Sequence, residues 1–426
     1  MNARLRAEHP RRVAAVALAH GHCYGLQVGT PAIVALNGRF RTGAPRTPGD
    51  AVLQHLVAAL VGCASRRHGE YEIAELFESR GASFTVEADA DGLRFGVRAC
   101  AADLAAVAEW TMACLREPAF DQALLDAERA RLIAELHYRA LDPAHAAVGG
   151  LTRLLYPPTH PACEADPDAQ AALLESCSLD DVRRFHRERY GANDLRIAVV
   201  GDYDPQDAAR LVERELAGWA PRALPEFAGA DDTAAAAGEL RLCLPGQESH
   251  GVALGQRLGL TREHADYPAL QLANRILGGA YASRLVASVR ERQGLSYVIR
   301  SALVEAPRAG GHWQIALSAS PDKLQAALAA TRAVVAELAD EGVQALEFEN
   351  ARRAAIGAYQ IGLATLDGLS AAILSEAELG LQPDDLQGYE RRLSALDLAQ
   401  VNRVIADCLQ PEAWRACIAG PLAPAD

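Results

Sequence analysis

Along residues 101–115 and 122–139 the apolar side chains return every three to four positions, which predicts two successive amphipathic helices. Residues 323–338 and 346–363 carry the same pair of patterns. Elsewhere the period drops to two. Leu93, Phe95 and Val97 alternate as a half-buried strand does, and Trp313, Ile315 and Leu317 repeat them 220 positions later. Ile197-Ala198-Val199-Val200-Gly201 reads as a buried strand ending in a turn, and Ala416-Cys417-Ile418-Ala419-Gly420 follows it by 219. Leu179, Val182 and Phe185 fall on one helical face, and Leu398, Val401 and Val404 recur at the same displacement of 219. Val86-Glu87-Ala88 returns as Val304-Glu305-Ala306, displaced by 218.

A nearly constant offset across separated elements argues for an internal duplication. Each copy runs strand, helix, short strands, two helices, helix, strand. The expected class is α+β: two homologous domains, each an antiparallel-dominated sheet with helices packed on one face. Residues 221–238 hold Pro, Gly, Asp and Ala without periodicity and read as a connection. The expected division is a first domain over 1–222, a linker over 223–238 and a second domain over 239–426. One continuous domain with a long loop is the weaker rival, since structureless loops beyond ~15 residues are uncommon.

Composition narrows the function. Half of the residues are hydrophobic and only 5% are aromatic, which favours closely packed helices over a large all-β protein. The net charge of −13, without a basic block, repels a phosphate backbone and argues against nucleic acid as a partner. A basic peptide or a complementary protein surface is compatible with that charge. Nine cysteines are scattered from Cys23 to Cys417 with no C-x-x-C pair, so reduced thiols in a cytoplasm are the simplest expectation. The apolar run Val13–Ala19 behind several arginines is short and gives way to His20 and His22, unlike a secretory signal. No run approaches the ~20 apolar residues of a membrane span.

A set of ordered segments then carries a resemblance. Pro48-Gly49-Asp50-Ala51-Val52-Leu53-Gln54-His55-Leu56 precedes Glu72-Ile73-Ala74-Glu75-Leu76-Phe77-Glu78-Ser79-Arg80-Gly81-Ala82-Ser83. Glu128-Arg129-Ala130-Arg131-Leu132-Ile133-Ala134-Glu135-Leu136 and Tyr156-Pro157-Pro158-Thr159-His160-Pro161 follow. Later, Leu277-Gly278-Gly279-Ala280-Tyr281-Ala282-Ser283-Arg284-Leu285 leads to Val289-Arg290-Glu291-Arg292-Gln293-Gly294-Leu295-Ser296-Tyr297. In this order the set resembles the pitrilysin/insulinase (inverzincin) peptidases, across about Val34 to Gly420.

That family places H-x-x-E-H on a helix: two histidines one turn apart hold zinc, the Glu activates water, and a Glu on a later helix completes the ligands. Anchored on Pro48-Gly49, the two histidine positions here hold Val52 and Leu56, and the general-base position holds His55. Glu135 matches the later ligand. No register yields two histidines four apart, and His20, His22, His137, His145, His160 and His186 lack the spacing. The resemblance therefore implies a degenerate site and no metal in this chain. His55 reads as a half-buried helix histidine with a satisfied hydrogen bond, and Glu135 as a solvated or salt-bridged helix residue.

The second copy retains more. Arg290 and Tyr297 stand where the family carries an Arg/Tyr pair facing the zinc across a closed chamber. By resemblance, the Tyr hydroxyl donates to the oxyanion, and the Arg orients the Tyr and holds the peptide backbone. Taken alone, the two residues read equally as a ring packed in the sheet core and a surface arginine; the surrounding motif favours the pair.

Zinc ligands lost while Arg290 and Tyr297 remain is the division of labour of the small bacterial heterodimers. The resemblance thus implies a non-catalytic subunit whose homologous partner, with an intact H-x-x-E-H, brings zinc. Their substrates are short precursor peptides, that of pyrroloquinoline quinone among them. No membrane or nucleic acid is implied, and the cytoplasm is the expected location. Three alternatives stay open: a silent structural member, like the respiratory-chain core subunits; a peptide-binding module that takes a strand along an exposed edge at residues 32–41; and a self-sufficient enzyme using another metal geometry, against which the missing two-histidine arrangement counts.

Overall fold

The computed structural model describes residues 12–29, 32–89, 91–227, 238–305, 310–383 and 386–421. Most of the expected 223–238 linker therefore lies outside the described residues.

The first sheet is built from β1 (Ala14–Leu18), β2 (Gly21–Gln27), β3 (Ile33–Arg41), β4 (Ser83–Ala88), β5 (Gly92–Cys100) and β6 (Leu195–Gly201). Between β3 and β4 come α1 (Pro48–Val61) and α2 (Glu70–Glu78). Between β5 and β6 come α3 (Leu104–Arg116), α4 (Gln122–Ala140), α5 (Pro143–Leu155), α6 (Pro167–Ser176) and α7 (Leu179–Arg189), and α8 (Pro205–Glu215) follows β6. The second sheet holds β7 (Glu239–Cys243), β8 (His250–Arg257), β9 (Ile299–Val304), β10 (His312–Ala319) and β11 (Arg415–Gly420). Its helices are α9 (Tyr267–Asn274), α10 (Leu324–Glu341), α11 (Ala345–Gly362), α12 (Leu366–Glu378), α13 (Gly388–Ala395) and α14 (Leu398–Cys408). Two π-helical segments, Arg275–Gly279 and Val286–Arg292, stand between α9 and β9.

The strand orders express the duplication directly. The first sheet runs β1-β2-β6-β3-β5-β4 and the second β7-β11-β8-β10-β9, so the second repeats the first without its β1 edge. In each sheet one pair is parallel, β2 with β6 and β7 with β11, and every other pair is antiparallel. The α+β class with two similar sheets is the observed one.

Two expectations are corrected. Residues 32–41 are no exposed edge: β3 pairs with β5 on one side and β6 on the other, so its ladder is already filled. The likeness of Val86-Glu87-Ala88 to Val304-Glu305-Ala306 is out of register. Ala88 faces Leu93 while Leu303 faces Trp313, so the second hairpin is longer by five residues.

The two faces of each sheet are covered differently. Val34, Leu36, Val97, Ile197 and Val199 meet α1, α3 and α7 in one core, and Val252, Leu254, Ile315 and Ile418 meet α9, α10 and α14 in the other. The opposite faces are closed by exchange. From the first half, α5 packs on β8 and β11, setting Ala147, Leu151 and Leu155 against Ala253, Cys417 and Ala419. From the second, α12 packs on β6 and β3, setting Leu369, Ile373 and Ala377 against Tyr24, Leu26, Ala198 and Val200. Strands buried on both faces need continuous apolar runs, which β6 and β11 have. The approach is tight: a Cβ on Gly251 would stand 2.1 Å from the Pro143 carbonyl oxygen, and one on Gly150 2.3 Å from Cys417 Sγ.

A charged seam also joins the halves. Arg39, buried on β3, contacts Asp91 at 2.5 Å, Asp89 at 2.9 Å and Glu378 of α12 at 3.8 Å. Burial works against its charge, but the Asp89 and Asp91 carboxylates outweigh it and raise its pKa. Arg94 and Arg262 reach Glu378 as well, at 3.1 and 3.6 Å. Among the described residues no helix is long and apolar enough to cross a membrane.

Candidate functional site

Helix α1 starts where its sequence says it should. Thr47 Oγ1 accepts from the Asp50 amide at 3.2 Å, and Pro48 opens the first turn, where no amide is needed. The helix then turns Val52, Leu56 and Val57 into the core, with Leu56 fully buried. Gln54 is buried beside them. Its Nε2 donates to the carbonyls of Asp89 and Gly92 at 2.5 and 3.0 Å, and its Oε1 accepts from Thr42 Oγ1 at 2.9 Å. This amide clamps α1 to the β4–β5 hairpin, a role the sequence reading missed.

His55 faces outward. It presents its surface to solvent, so the expected half-buried histidine is corrected. Protein hems the imidazole in on several sides, and this desolvation is the main cause lowering its pKa. Arg139 lowers it further, and Asp89 opposes. Glu135, as expected, is a half-exposed helix residue paired with Arg131 at 3.3 Å and Arg139 at 3.9 Å.

These residues do not suit a zinc ion. The two positions that would supply imidazoles are aliphatic and packed, and the neighbouring guanidinium of Arg139 adds positive charge. Among the described residues no group of three or more His, Cys, Asp or Glu is gathered where it could hold a metal.

In the second half, Arg290 and Tyr297 come together. The π-helical segment Val286–Arg292 ends at a reversal in which Gly294 has φ +59°, and the Leu295 amide donates back to Val289 O at 2.9 Å. Leu295 packs against the core, and Ser296 Oγ lies 2.6 Å from Ser318 O and 2.7 Å from Val298 O. With Leu295 and Ser296 held inward, Tyr297 is left outside with 79% of its surface exposed. The reading in which its ring packs in the sheet core does not hold.

The Arg290 guanidinium stands between two rings, 5.1 Å from Tyr297 and 5.4 Å from Tyr281, whose own surface is 70% exposed. Glu291 completes the cluster, with Oε1 3.3 Å from both Arg290 Nε and the Tyr281 hydroxyl. Among the described residues nothing else pairs with the Arg290 terminal nitrogens or the Tyr297 hydroxyl. The cluster thus offers a fixed fork of N–H donors beside a phenol, the groups that hold a peptide carbonyl or meet a developing oxyanion. Tyr281 lies in the segment Leu277–Leu285, but its part depends on a fold-back that sequence spacing does not reveal.

Comparison with known proteins adds to this geometry. Residues 176–355, which include Tyr281, Arg290 and Tyr297, match the family model "Peptidase M16 inactive domain". An uncharacterized zinc protease of Streptomyces coelicolor is 34% identical over 133 residues, 30% of this chain and only 29% of that protein. The non-peptidase homolog YmxG of Helicobacter pylori is 21% identical over 365 residues, covering 83% of this chain and 81% of that one. The crystal structure of a peptidase M16 inactive domain from Pseudomonas fluorescens superposes with TM-score 0.86 at 24% identity, covering 97% of this chain and 99% of the other.

Proposed function

Taking the chain as a catalytically inactive member of the M16 (pitrilysin/insulinase) peptidase family, we propose that it is the non-catalytic half of a two-subunit zinc peptidase. One juxtaposition carries the reading: apolar packing at Val52 and Leu56 in one half, and an exposed donor cluster around Arg290 in the other. Aliphatic side chains offer a metal no lone pair, while two exposed tyrosines flank a charged fork of N–H donors.

In this reading the companion subunit holds zinc and its general base. Arg290 grips a backbone carbonyl or carboxylate of a short peptide, and Tyr281 and Tyr297 keep its guanidinium in place from either side. The Tyr297 hydroxyl then donates to the oxygen that gains negative charge as the amide carbon becomes tetrahedral. A preorganised donor of this kind is worth about 3 kcal/mol in the transition state. The substrate class is a short precursor peptide.

The test is reconstitution with an M16 chain bearing an intact H-x-x-E-H. Hydrolysis of a short peptide should need both chains and collapse with Tyr297→Phe. Full turnover by the companion alone, or by the mixture with Tyr297→Phe, contradicts the proposal. The likeness to a non-peptidase homolog over most of the chain favours one second reading, a silent structural member. That reading predicts no effect of Tyr297 on any peptidase.

A further inference from the structure

The second half contains a cavity of about 780 Å³ between α9, α11, α12 and α13, with β9 along one wall. By element order these helices hold the places that α1, α4, α5 and α6 hold in the first half, so the duplication puts the cavity where the first copy would carry its degenerate metal motif. Its size falls within the range of small-molecule sites, roughly 300–1,000 Å³. Leu303, Tyr359 and Tyr389 give part of the wall an apolar, aromatic face, and charged and polar side chains line the rest.

The charges on that wall are unevenly matched. Arg262 pairs with Glu305 at 3.5 Å and Glu378 at 3.6 Å, and Arg392 pairs with Glu376 at 2.5 Å. Arg275 is half-buried and has no carboxylate or hydrogen-bond partner among the described residues. The one other acidic side chain of the lining, Glu263, sits on the exposed rim. Burial pushes the Tyr389 phenol up while Arg275 and Arg392 pull it down, so both guanidiniums act on the same hydroxyl. Arg275 also opens the π-helical segment Arg275–Gly279, a distortion that recurs at ligand sites. A partly desolvated guanidinium without a counter-charge is unfavourable, and a matching anion removes that cost.

We propose that this cavity binds a small amphiphilic anion: a carboxylate on an apolar body, its head on Arg275 and Tyr389 and its body against Tyr359 and Leu303. A free aliphatic acid and the C-terminus of a short apolar peptide share this chemistry. The assignment does not depend on the peptidase-subunit reading, because every group it uses lies in this chain and away from Arg290 and Tyr297.

The experiment is titration calorimetry of the full chain in a buffer free of carboxylate and phosphate. The probes are octanoate, octanamide, a short N-acetylated apolar peptide acid and its C-terminal amide. One acid should bind saturably at one site per chain, and its amide should not. Which acid binds identifies the source. Arg275→Met should weaken binding roughly tenfold or more, the loss expected for a charge-assisted hydrogen bond. Ala358→Trp, at an exposed position of α11 on the cavity wall, should block it and serves if the first variant does not fold. Absence of saturable binding by either acid, equal binding of acid and amide, or binding unchanged in the folded variants overturns the proposal.

Discussion

Tyr297 owes its exposure to its neighbours: Leu295 sits against the core, and Ser296 is held by the Val298 and Ser318 carbonyls. The ring and hydroxyl therefore project from a fixed base, which suits a donor that must not reorganise during reaction. In the reconstituted enzyme, Tyr297→Phe should lower kcat about 10²-fold with little change in KM, since the bond forms chiefly in the transition state. Tyr281→Ala should act differently. It frees one side of Arg290 and should raise KM more than it lowers kcat, by a few-fold if the ring contact is worth about 0.5–1 kcal/mol. Steady-state kinetics on both variants separates these roles. At this scale the nearness of Arg290 to Tyr297 could be read from a linear motif, though not what the pair does. The parts of Gln54, Tyr281 and Glu291 could not, because each acts through a contact made by folding back. His55 shows the converse: an isolated histidine among apolar helix residues reads as half-buried, yet the helix turns it outward.

Among the elements, the two long helix pairs and the strands β5, β6, β10 and β11 could be read from periodicity, since burial on one or two faces leaves that imprint. Position within a sheet leaves none, which is why β3 passed for an edge when it lies in the middle. Nor did the sequence reveal that α5 and α12 change partners, because an amphipathic face records burial and not against what. The exchange makes glycines on the receiving strand indispensable. Gly251→Ala should push the Pro143 carbonyl, in the first turn of α5, away from β8 and destabilise the chain by about 1–3 kcal/mol in urea unfolding. The junction also carries a pH signature. His312 lies between the Tyr156 hydroxyl at 3.2 Å and Gln314 Oε1 at 3.1 Å, and burial lowers its pKa to about 4 despite the Gln314 bond. Burial likewise lowers His186 to about 4. Both bind protons more readily unfolded, so the stability they contribute is complete above about pH 6.5 and lost as pH falls toward 4. Urea midpoints between pH 7 and 4 should drop accordingly, and His312→Gln should flatten part of the slope.

At the level of the whole molecule, the exchanged helices and the charged seam tie the two halves into one folding unit. Arg39→Met would take from the buried Asp91 its 2.5 Å partner, leaving Arg41 at 3.1 Å, and would remove one of the three arginines around Glu378, a change expected to cost about 1–3 kcal/mol. Expressed without the second half, residues 12–227 would present the Ala198 and Val200 face of β6 to water, and should aggregate or remain loosely packed. In the proposed complex, such interdependence would make this chain a rigid wall for a partner's chemistry. Metal content and peptide hydrolysis, measured on the same preparations, bear most directly on that claim. The purified chain should carry well under one zinc per molecule and leave short peptides intact, and peptidase activity should appear only when a zinc-bearing M16 companion is added. One tightly held zinc per chain, with hydrolysis in the absence of any companion, would contradict it.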